Sequence, residues 1–584
     1  MRLYVSSIII IFYLIVVSSV DDIYVSQHLA SIGLMLLLSL SLFKVRSNKI
    51  TNSSILFCGL AIYYLTHTLL ISTYESLTMY QSPAIWFILV FLLISHPHFN
   101  LSKRLICIMF SVGVFIQILF SYAQLFGLID ISDNSYFTLC GTLTNPGALS
   151  GYLSVSLPLL LSTAVLLKKK TKYENLFYIF IALILFSLQL IISADSRGGW
   201  IATIVSCGYF FLSHYDVRGK LRLVFNSKLK VVLVALSVFL IICVSSYYLY
   251  QYKADSAYGR TLIWRVTLQS PQDNIIIGDG VGSFEANYGK WQSAYFASEN
   301  VSEKDKLVAG YVGCAYNEWL QIYKEMGIFG ILLWTIVVVI VSRYKCKTIA
   351  QLGAKSSLFA FFLLSLVSYP LEVNAILFNV VLCIFILVSS RKGLVVRCVS
   401  LRYLHCLLFV AVCALLYGYS QLCYGTYIYR GSKEDFLTSN DINAYLTRMD
   451  YVHKKMSKES DYVYDYASAL IQCERYEKAI EVLDRGLEYS SNPGLYKLLG
   501  DAYEGIQELD KAEEMYRILF NMIPHKLLPK YYLLKLMQKQ NRKDEVVELS
   551  KQILSCKEKV HTTVANRIKD EVQQIIYNYD QQCK

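Results

Sequence analysis

Charged residues are scarce in this sequence, and the scarcity excludes a soluble protein of several globular domains. Only 17% of the 584 residues are charged, whereas 55% are hydrophobic and 14% are aromatic. A water-soluble protein of this length needs a more polar surface than this composition can provide. The composition is typical of a polytopic membrane protein.

The cysteines and histidines lack the spacing that metal sites need. Fifteen cysteines are scattered along the chain without a CxxC pair or a His/Cys group, so neither a zinc site nor a thioredoxin-like redox motif is predicted. The formal charge of +12 does not indicate nucleic-acid binding, because the basic residues form short clusters between apolar runs rather than one face. We therefore expect no metal, no cofactor and no nucleic-acid partner.

Thirteen apolar runs are predicted to be transmembrane helices, for which about 17 to 25 apolar residues are typical. The first run is interpreted as a helix rather than a signal peptide, because the segment 17–20 is not a clean cleavage site. The predicted helices lie near residues 3–19, 26–43, 54–73, 80–96, 105–126, 147–167, 174–194, 199–213, 231–249, 327–342, 356–370, 374–390 and 403–421.

Basic residues are almost absent from the loops on one side of this predicted bundle. With a cytoplasmic N-terminus, the six cytoplasmic loops carry 22 basic residues, and the five short loops on the other side carry only Arg197. This asymmetry agrees with the positive-inside rule. Thirteen crossings then place the large loop and the C-terminal tail outside the cytoplasm, which in a bacterium means the periplasm and an inner-membrane location.

The predicted domains are the N-terminal transmembrane helices (1–249), a large periplasmic loop (250–317), the C-terminal transmembrane helices (318–424) and a tail (427–584). The tail is rich in charge, with apolar positions at helical spacing. The fold class is all-α, a membrane helix bundle followed by a tetratricopeptide-like helical-repeat domain; a generic helical hairpin bundle is the alternative. The repeat of period 34 is carried by Tyr496, Leu499, Gly500, Tyr503, Ala512, Tyr516 and Pro524.

Arg197 is the one cation on the side where the sequence otherwise avoids them. A guanidinium at a membrane boundary usually has an anionic partner. Gly198 and Gly199 open the next predicted helix, where backbone N–H groups and the helix dipole favour a phosphate. The alternatives are an arginine that reaches a lipid headgroup or one that pairs with Asp195.

The large loop begins with two more arginines, Arg260 and Arg265. Planar guanidinium groups suit a phosphate better than lysine does. As isolated residues they would be solvated surface charges, but together with Arg197 they would give a pyrophosphate two or three partners.

A glycine-rich segment and several aromatic residues follow the arginines. The segment 277–284 contains G-x-G-x-G, but no strand-helix-strand unit surrounds it, so a tight turn is predicted rather than a nucleotide site. The aromatic side chains are expected to pack the loop, with stacking on sugar rings as the alternative; they are Phe284, Tyr288, Trp291, Tyr295 and Phe296.

Glu318 follows the loop at the start of the next predicted span. It could act as a general base for an acceptor hydroxyl if its surroundings favour proton uptake. Equally, it could be a carboxylate in the first turn of a helix, favoured there by the helix dipole. The sequence leaves both roles open.

The ordered set of motifs between residues 140 and 345 resembles the superfamily of O-antigen ligases, O-antigen polymerases and bacterial protein O-oligosaccharyltransferases. No single motif is decisive, and the order together with the predicted topology carries the resemblance. The motifs are Gly141 to Gly147, Ser196 to Trp200, Gly259-Arg260 with Trp264, Gly278 to Phe284, and Asn317 to Leu320 with Gly327 and Gly330.

This resemblance implies an inner-membrane glycosyltransferase that uses undecaprenyl-pyrophosphate-linked glycans at the periplasmic face, without a metal. The family arginines that bind the donor pyrophosphate would be Arg197 and Arg260, with Arg265 as a further candidate. The family histidine before the Asn-Glu pair is Tyr316 here, and an unperturbed tyrosine, with a pKa of about 10, is a poor base. Either Glu318 takes the role, or Tyr316 orients the acceptor, or catalysis has been lost.

The acceptor stays open at this stage, because lipid A core, another glycan and a protein hydroxyl would use the same arginines. The tail would offer a concave surface to a protein partner, and membrane lipid surrounds the bundle. Two other classes of function compete. A transporter of lipid-linked sugars would show more broken or ionisable sites at the bilayer midplane, and a non-catalytic scaffold would work through its repeat domain.

Overall fold

The computed structural model is almost entirely helical and divides into two compact units. A bundle unit comprises Met1–Ile71, Leu77–Gln251 and Tyr316–Ser420, and a loop-and-tail unit comprises Ser72–Ser76, Tyr252–Ala315 and Gln421–Lys584. The structure describes residues 11–16, 33, 35, 48–50, 52–71, 82–95, 103–129, 137, 139–143, 145–168, 174–215, 254–298, 301–388, 394–396, 400–556 and 563–582. The predicted helix 231–249 lies outside the described residues, as do most of 3–19 and 26–43.

The bundle unit contains the apolar helices of the chain. Two three-residue strands, β1 (Asn48–Ile50) and β2 (Leu394–Val396), pair antiparallel. The helices are α1 (Asn52–Leu70), α2 (Ser82–Ser95), α3 (Lys103–Leu125), α4 (Pro146–Lys168), α5 (Glu174–Ser193), α6 (Arg197–His214), α10 (Glu318–Arg343), α11 (Ile349–Leu364) and α12 (Asn374–Val388). Helix α13 (Ser400–Ser439) runs from this unit into the tail.

Four of the described helices, α3, α4, α5 and α10, are long and apolar enough to cross a membrane. Three shorter apolar stretches are Ile55–Thr68 and the helices α11 and α12. These helices make the chain a membrane protein. The total of thirteen spans and the orientation of the bundle stay predictions.

Small residues allow α4, α6 and α11 to pack closely on one another. Gly353 of α11 faces α4, where an added Cβ would lie 3.1 Å from the Pro158 carbonyl oxygen. The Ser154 hydroxyl donates to the Gly199 carbonyl oxygen at 3.0 Å and accepts from Thr203 at 2.9 Å. In an apolar surrounding, such close backbones and interhelical hydrogen bonds take the place of the hydrophobic effect.

Helices α10, α11 and α13 differ most from the predicted boundaries, and α11 begins at Ile349 rather than at 356. Helix α11 ends at Leu364 and not at 370. A proline disfavours the helical conformation at the residue before it, so a helix that continues to Pro370 is unfavourable. Helix α10 begins at Glu318, nine residues before the predicted span, and is broken at Gly327, whose φ of 66° and ψ of −165° are not helical. Helix α13 continues past 421 to Ser439.

The loop and the tail, predicted as separate segments, lie in one unit. The loop forms α7 (Ala254–Gln269), α8 (Ser283–Phe296) and α9 (Glu303–Val308). The predicted tight turn is present between α7 and α8, where three glycines have φ between 80° and 100°. Beyond α13, the tail forms α14 (Ile442–Met456), α15 (Ser460–Gln472), α16 (Tyr476–Leu487), α17 (Pro493–Gly505), α18 (Leu509–Met522), α19 (Leu527–Lys539), α20 (Lys543–Leu554) and α21 (Thr563–Gln582).

The tail helices form successive pairs of similar length. The first helices of three pairs begin at Ser460, Pro493 and Leu527, which are 33 and 34 residues apart. Each helix packs on the next along the chain, and tyrosines such as Tyr462, Tyr466 and Tyr516 are buried between them. The interval matches the period predicted from the sequence, and the tetratricopeptide assignment itself stays a prediction.

Candidate functional site

The connection between α11 and α12, which we term the 365–373 turn, contacts the beginnings of three helices in the bundle unit. The Glu318 N–H at the start of α10 donates to the Ser365 carbonyl oxygen at 2.8 Å. Asn145, which precedes α4, donates from Nδ2 to the Tyr369 hydroxyl at 2.7 Å. An added Cβ at Gly198, near the start of α6, would lie 3.3 Å from Val367 Cγ2. The turn therefore brings these helix beginnings to one end of the bundle.

Arg197 is the first residue of α6, and its side chain is partly buried. Ser196 is the N-cap residue, but its hydroxyl makes no capping hydrogen bond. Asp195 has a φ of 51°, a left-handed conformation that non-glycine residues adopt infrequently. The Trp200 indole N–H donates to the Ile191 carbonyl oxygen at 2.8 Å and so ties the start of α6 to the end of α5. A guanidinium beside a helix N-terminus offers the charge and the N–H groups that an anion needs.

Gly199 sets the position of Arg197 through its contact with α4. A Cβ at Gly199 would collide with the Ser150 hydroxyl and lie 2.9 Å from Ser150 Cβ. We expect Gly199→Ala to destabilise the protein by about 1–3 kcal/mol, because overpacking a closely packed contact costs this much. Thermal unfolding in detergent measures the change. The matched control is Gly208→Ala on the same helix, where the added Cβ meets nothing within 4 Å and replacement of glycine favours the helix; equal stability of the two variants would contradict the prediction.

Tyr316 and Asn317 shape the entry to α10. Tyr316 has a φ of 51°, which is strained for a bulky side chain and costs about 1–3 kcal/mol. Its ring packs edge-on against Tyr369, with centroids 5.3 Å apart. Asn317 Oδ1 accepts from the backbone N–H groups of Trp319 and Leu320 at 3.0 and 3.2 Å. Asn317 is therefore the helix cap, and Tyr316 is held in a strained conformation beside the 365–373 turn.

Glu318 is buried in the first turn of α10, with 5% of its surface exposed. Its Oε1 accepts from the Leu371 N–H at 2.8 Å. A hydrogen bond to a fixed backbone donor orients the carboxylate and links it to the 365–373 turn. Both roles that the sequence left open are compatible with this geometry, because Glu318 is at once a first-turn acid and an oriented carboxylate.

Two further carboxyl groups, Glu325 and Glu372, lie near Glu318. Glu325 is buried on α10, where Gln321 donates to its Oε1 at 3.4 Å. Glu372 lies on the 365–373 turn and has an exposed side chain. In the part of the chain that the structure describes, no group of three or more His, Cys, Asp or Glu side chains is arranged to hold a metal ion.

Arg260 and Arg265 both lie on α7, in the loop-and-tail unit, but they point to different sides of the helix because five residues correspond to about 140° of rotation. Arg265 Nη1 contacts Asp305 Oδ2 at 2.9 Å and donates to the Tyr295 hydroxyl at 3.2 Å. Asp305 is 1% exposed, so this ion pair is part of the packing of the loop. Trp264, one turn after Arg260, donates to the Ala315 carbonyl oxygen at 2.9 Å.

Of the predicted site residues, Arg197, Tyr316 and Glu318 lie in the bundle unit at the end marked by the 365–373 turn. Arg260 and Arg265 lie in the other unit, and Arg265 has a partner within the loop. Sequence reasoning missed most of the turn, including Tyr369, because residues 356–370 were assigned to a helix, and it left Glu372 in a predicted loop of three residues without a role. The signal was present: Pro370 and a glutamate interrupt two apolar runs on the side predicted to be periplasmic.

Among solved structures, the chain is similar to "MamA RS-1 ArsTM double mutant" (20% identity, TM-score 0.20, 21% of this chain and 70% of that chain covered). It is also similar to "MamA 41-end from Desulfovibrio magneticus RS-1" (19% identity, TM-score 0.20, 27% and 77% covered). At these TM-scores the likeness carries no argument about the fold. No curated protein sequence matches the chain.

A protein-family model described as O-Antigen ligase matches residues 181–335. The matched region contains Arg197, both loop arginines, Tyr316 and Glu318, and it includes the motifs of the sequence resemblance except Gly141 to Gly147. This match supports the resemblance over residues 181–335, where the chain is similar to the O-antigen ligase family.

Proposed function

We propose that this membrane protein is an O-antigen ligase-like glycosyltransferase that moves a glycan from undecaprenyl pyrophosphate to an acceptor hydroxyl at the periplasmic face of the inner membrane. The family match supports an O-antigen ligase-like or polymerase-like membrane glycosyltransferase. The donor, the acceptor and the side of the membrane are the proposal's own additions. The donor and the acceptor hydroxyl are those that the family resemblance implies, and the periplasmic face is predicted from the charge asymmetry of the loops.

The observation that carries the proposal is the convergence of helix beginnings on the 365–373 turn. Gly198, next to Arg197, approaches Val367, and Glu318 accepts from Leu371 on the same turn. A cation at a helix N-terminus and an oriented carboxylate at one end of the bundle supply the two groups that transfer from a pyrophosphate requires. One binds the leaving phosphate and the other accepts the proton of the attacking hydroxyl.

In the proposed reaction, the acceptor oxygen attacks the anomeric carbon of the donor sugar. The bond from this carbon to the pyrophosphate oxygen breaks, and undecaprenyl pyrophosphate leaves with the electron pair. The acceptor proton passes to Glu318, while Tyr316 orients the acceptor beside Tyr369. Arg197 stabilises the negative charge that develops on the leaving group, and no metal takes part. The family resemblance gives Arg260 the same role, whereas Arg265 is engaged by Asp305.

The proposal assigns the tail to a tetratricopeptide-like domain in the periplasm, where stacked helix pairs would present a surface to a protein or glycan. The 33- and 34-residue intervals between helix beginnings support this assignment. The acceptor is lipid A core in a ligase, another glycan in a polymerase and a protein hydroxyl in an oligosaccharyltransferase. We favour a ligase-type or protein-directed enzyme, because a recognition domain suits a large acceptor.

Transfer by the purified protein tests the proposal. The full chain in detergent or nanodiscs is incubated with an undecaprenyl-pyrophosphate-linked glycan and, in separate reactions, lipid A core, free glycan or a candidate protein. We expect a glycosylated acceptor and free undecaprenyl pyrophosphate in equal amounts. Movement of intact lipid-linked donor across the bilayer without cleavage would support a transporter instead, and neither transfer nor movement with any of the acceptors would support a scaffold.

A further inference from the structure

Ser491, in the connection between tail helices α16 and α17, inserts its side chain into loop helix α8. Its hydroxyl accepts from the Gly289 N–H at 2.9 Å and donates to the Glu285 carbonyl oxygen at 2.8 Å. In an uninterrupted helix this N–H and this carbonyl, four residues apart, bond directly to each other. The Ser491 N–H also donates to the Glu285 carbonyl oxygen at 3.2 Å. The tail serine is thus part of the hydrogen bonding of the loop helix.

Gly289 makes this insertion sterically possible. A Cβ at position 289 would lie 2.8 Å from the Ser491 carbonyl oxygen and 2.9 Å from Ser491 Cβ, and it would collide with the Met522 side chain. Separations below 3.0 Å from a backbone oxygen cannot be relieved by a rotamer change of one flexible side chain. The loop helix therefore has a glycine where the tail approaches most closely.

Further contacts surround this point. The Gln292 side chain donates from Nε2 to the Met522 carbonyl oxygen at 2.6 Å and to the Gly310 carbonyl oxygen at 3.2 Å. The hydroxyls of Tyr311 and Ser490 are 3.0 Å apart. Burial, and then the Glu285 carboxylate, raises the pKa of Tyr311 above its ordinary value, so the hydroxyl keeps its proton. Gln292 is 1% exposed, and a buried amide with these partners fixes the relative position of loop and tail.

The same loop helix is connected to the helix that carries Arg260. Tyr295 of α8 donates to Asp305 Oδ2 at 3.0 Å, and this oxygen also pairs with Arg265 of α7. Asp305 is buried and accepts both bonds through one oxygen, so a shift of α8 changes the partners of α7. The contacts run without a gap from Ser491 to α7.

We propose that the C-terminal helical tail is an internal clamp for the large loop, and that Ser491 and Gly289 are positioning residues that keep Arg260 in place for the donor pyrophosphate. The tail thereby serves transfer through its contacts within the chain, in addition to any external partner. The clamp stands on the contacts above, and only its consequence for transfer rests on the proposed function.

Gly289→Ala and Ser491→Ala test the clamp in the full-length protein, with Gly431→Ala as the matched control. Gly431 lies on α13 in the same unit, and an added Cβ there meets nothing within 4 Å. Hydrogen exchange of the loop amides, followed by mass spectrometry, measures the clamp without reference to activity. We expect exchange over residues 254–296 to rise at least tenfold in Gly289→Ala, to rise less in Ser491→Ala, and to stay unchanged in Gly431→Ala.

Transfer assays on the same proteins measure the consequence. We expect Gly289→Ala to raise the KM for the lipid-linked donor at least tenfold. When Arg260→Ala is already present, Gly289→Ala should have little further effect on this KM, because the effects of two substitutions that act through one group are not additive. Wild-type exchange in Gly289→Ala overturns the clamp. The positioning role is overturned if Gly289→Ala exchanges faster but transfers glycan at the wild-type rate. It is also overturned if the effect of Gly289→Ala on the donor KM adds fully to that of Arg260→Ala. Absence of transfer in the unmodified protein contradicts the proposed function and leaves the exchange result as the measure of the clamp.

Discussion

Arg197→Ala should reduce glycan transfer by a factor of 100 or more while the protein still inserts into the membrane. Removing one preorganised donor from a developing negative charge typically costs this much in rate. Arg197 begins α6, and its backbone position is fixed by the contact of Gly199 with Ser150 and by the Trp200 hydrogen bond to α5. These contacts do not involve the guanidinium, so the helix is expected to keep its place. Initial rates with purified protein and lipid-linked donor give the measurement.

Two companion variants separate a phosphate contact from a general effect of charge. Arg343→Ala removes an exposed arginine from the other end of α10 and is expected to transfer at the wild-type rate. Arg197→Lys keeps the charge but loses the planar pair of donors, so an intermediate rate is expected. If Arg197→Ala transfers glycan as fast as the unmodified protein, Arg197 is not part of the donor site, and a lipid headgroup or Asp195 becomes its better partner.

The sequence allowed the bundle to be predicted well where one physical pattern dominates. Long apolar runs defined α3, α4 and α5 to within a few residues, because hydrophobic length alone decides such helices. The scarcity of cations on one side of the predicted bundle singled out Arg197. In the structure Arg197 begins α6 at the end of the bundle where the starts of α4 and α10 meet the 365–373 turn. Composition and spacing are local properties, and they sufficed for these features.

Features that depend on contacts between distant segments were not predicted. Residues 365–370 of the 365–373 turn were hidden inside a predicted helix, because their apolar residues satisfy the same hydropathy pattern as a span. Arg265 looked equivalent to Arg260 until Asp305, forty residues away, proved to be its partner. Gly289 is an ordinary glycine in sequence, and its role became visible only when Ser491, two hundred residues later, was found beside it.

Glu318→Gln should also reduce transfer by a factor of 100 or more, with binding of the lipid-linked donor retained. Loss of a general base typically lowers the rate by about 10²–10⁴. The glutamine has the same size, and its amide oxygen can accept the Leu371 N–H bond that orients the carboxylate. A role limited to packing in the first turn would therefore survive the substitution, whereas a role as proton acceptor would not. Initial rates and donor-binding affinity, measured on one preparation, distinguish the two roles.

The controls for Glu318 use similar chemistry in other places. Glu174→Gln replaces an exposed first-turn glutamate of another apolar helix, α5, and should leave the rate unchanged. Tyr316→Phe removes only the hydroxyl and keeps the ring against Tyr369, so a smaller loss, seen mainly in the KM for the acceptor, is expected if Tyr316 orients the acceptor. If Glu318→Gln transfers normally while Tyr316→Phe is inactive, the proton passes through the tyrosine. In that case the strained backbone at Tyr316, rather than the buried carboxylate, marks the position that the resemblance gives to the family histidine.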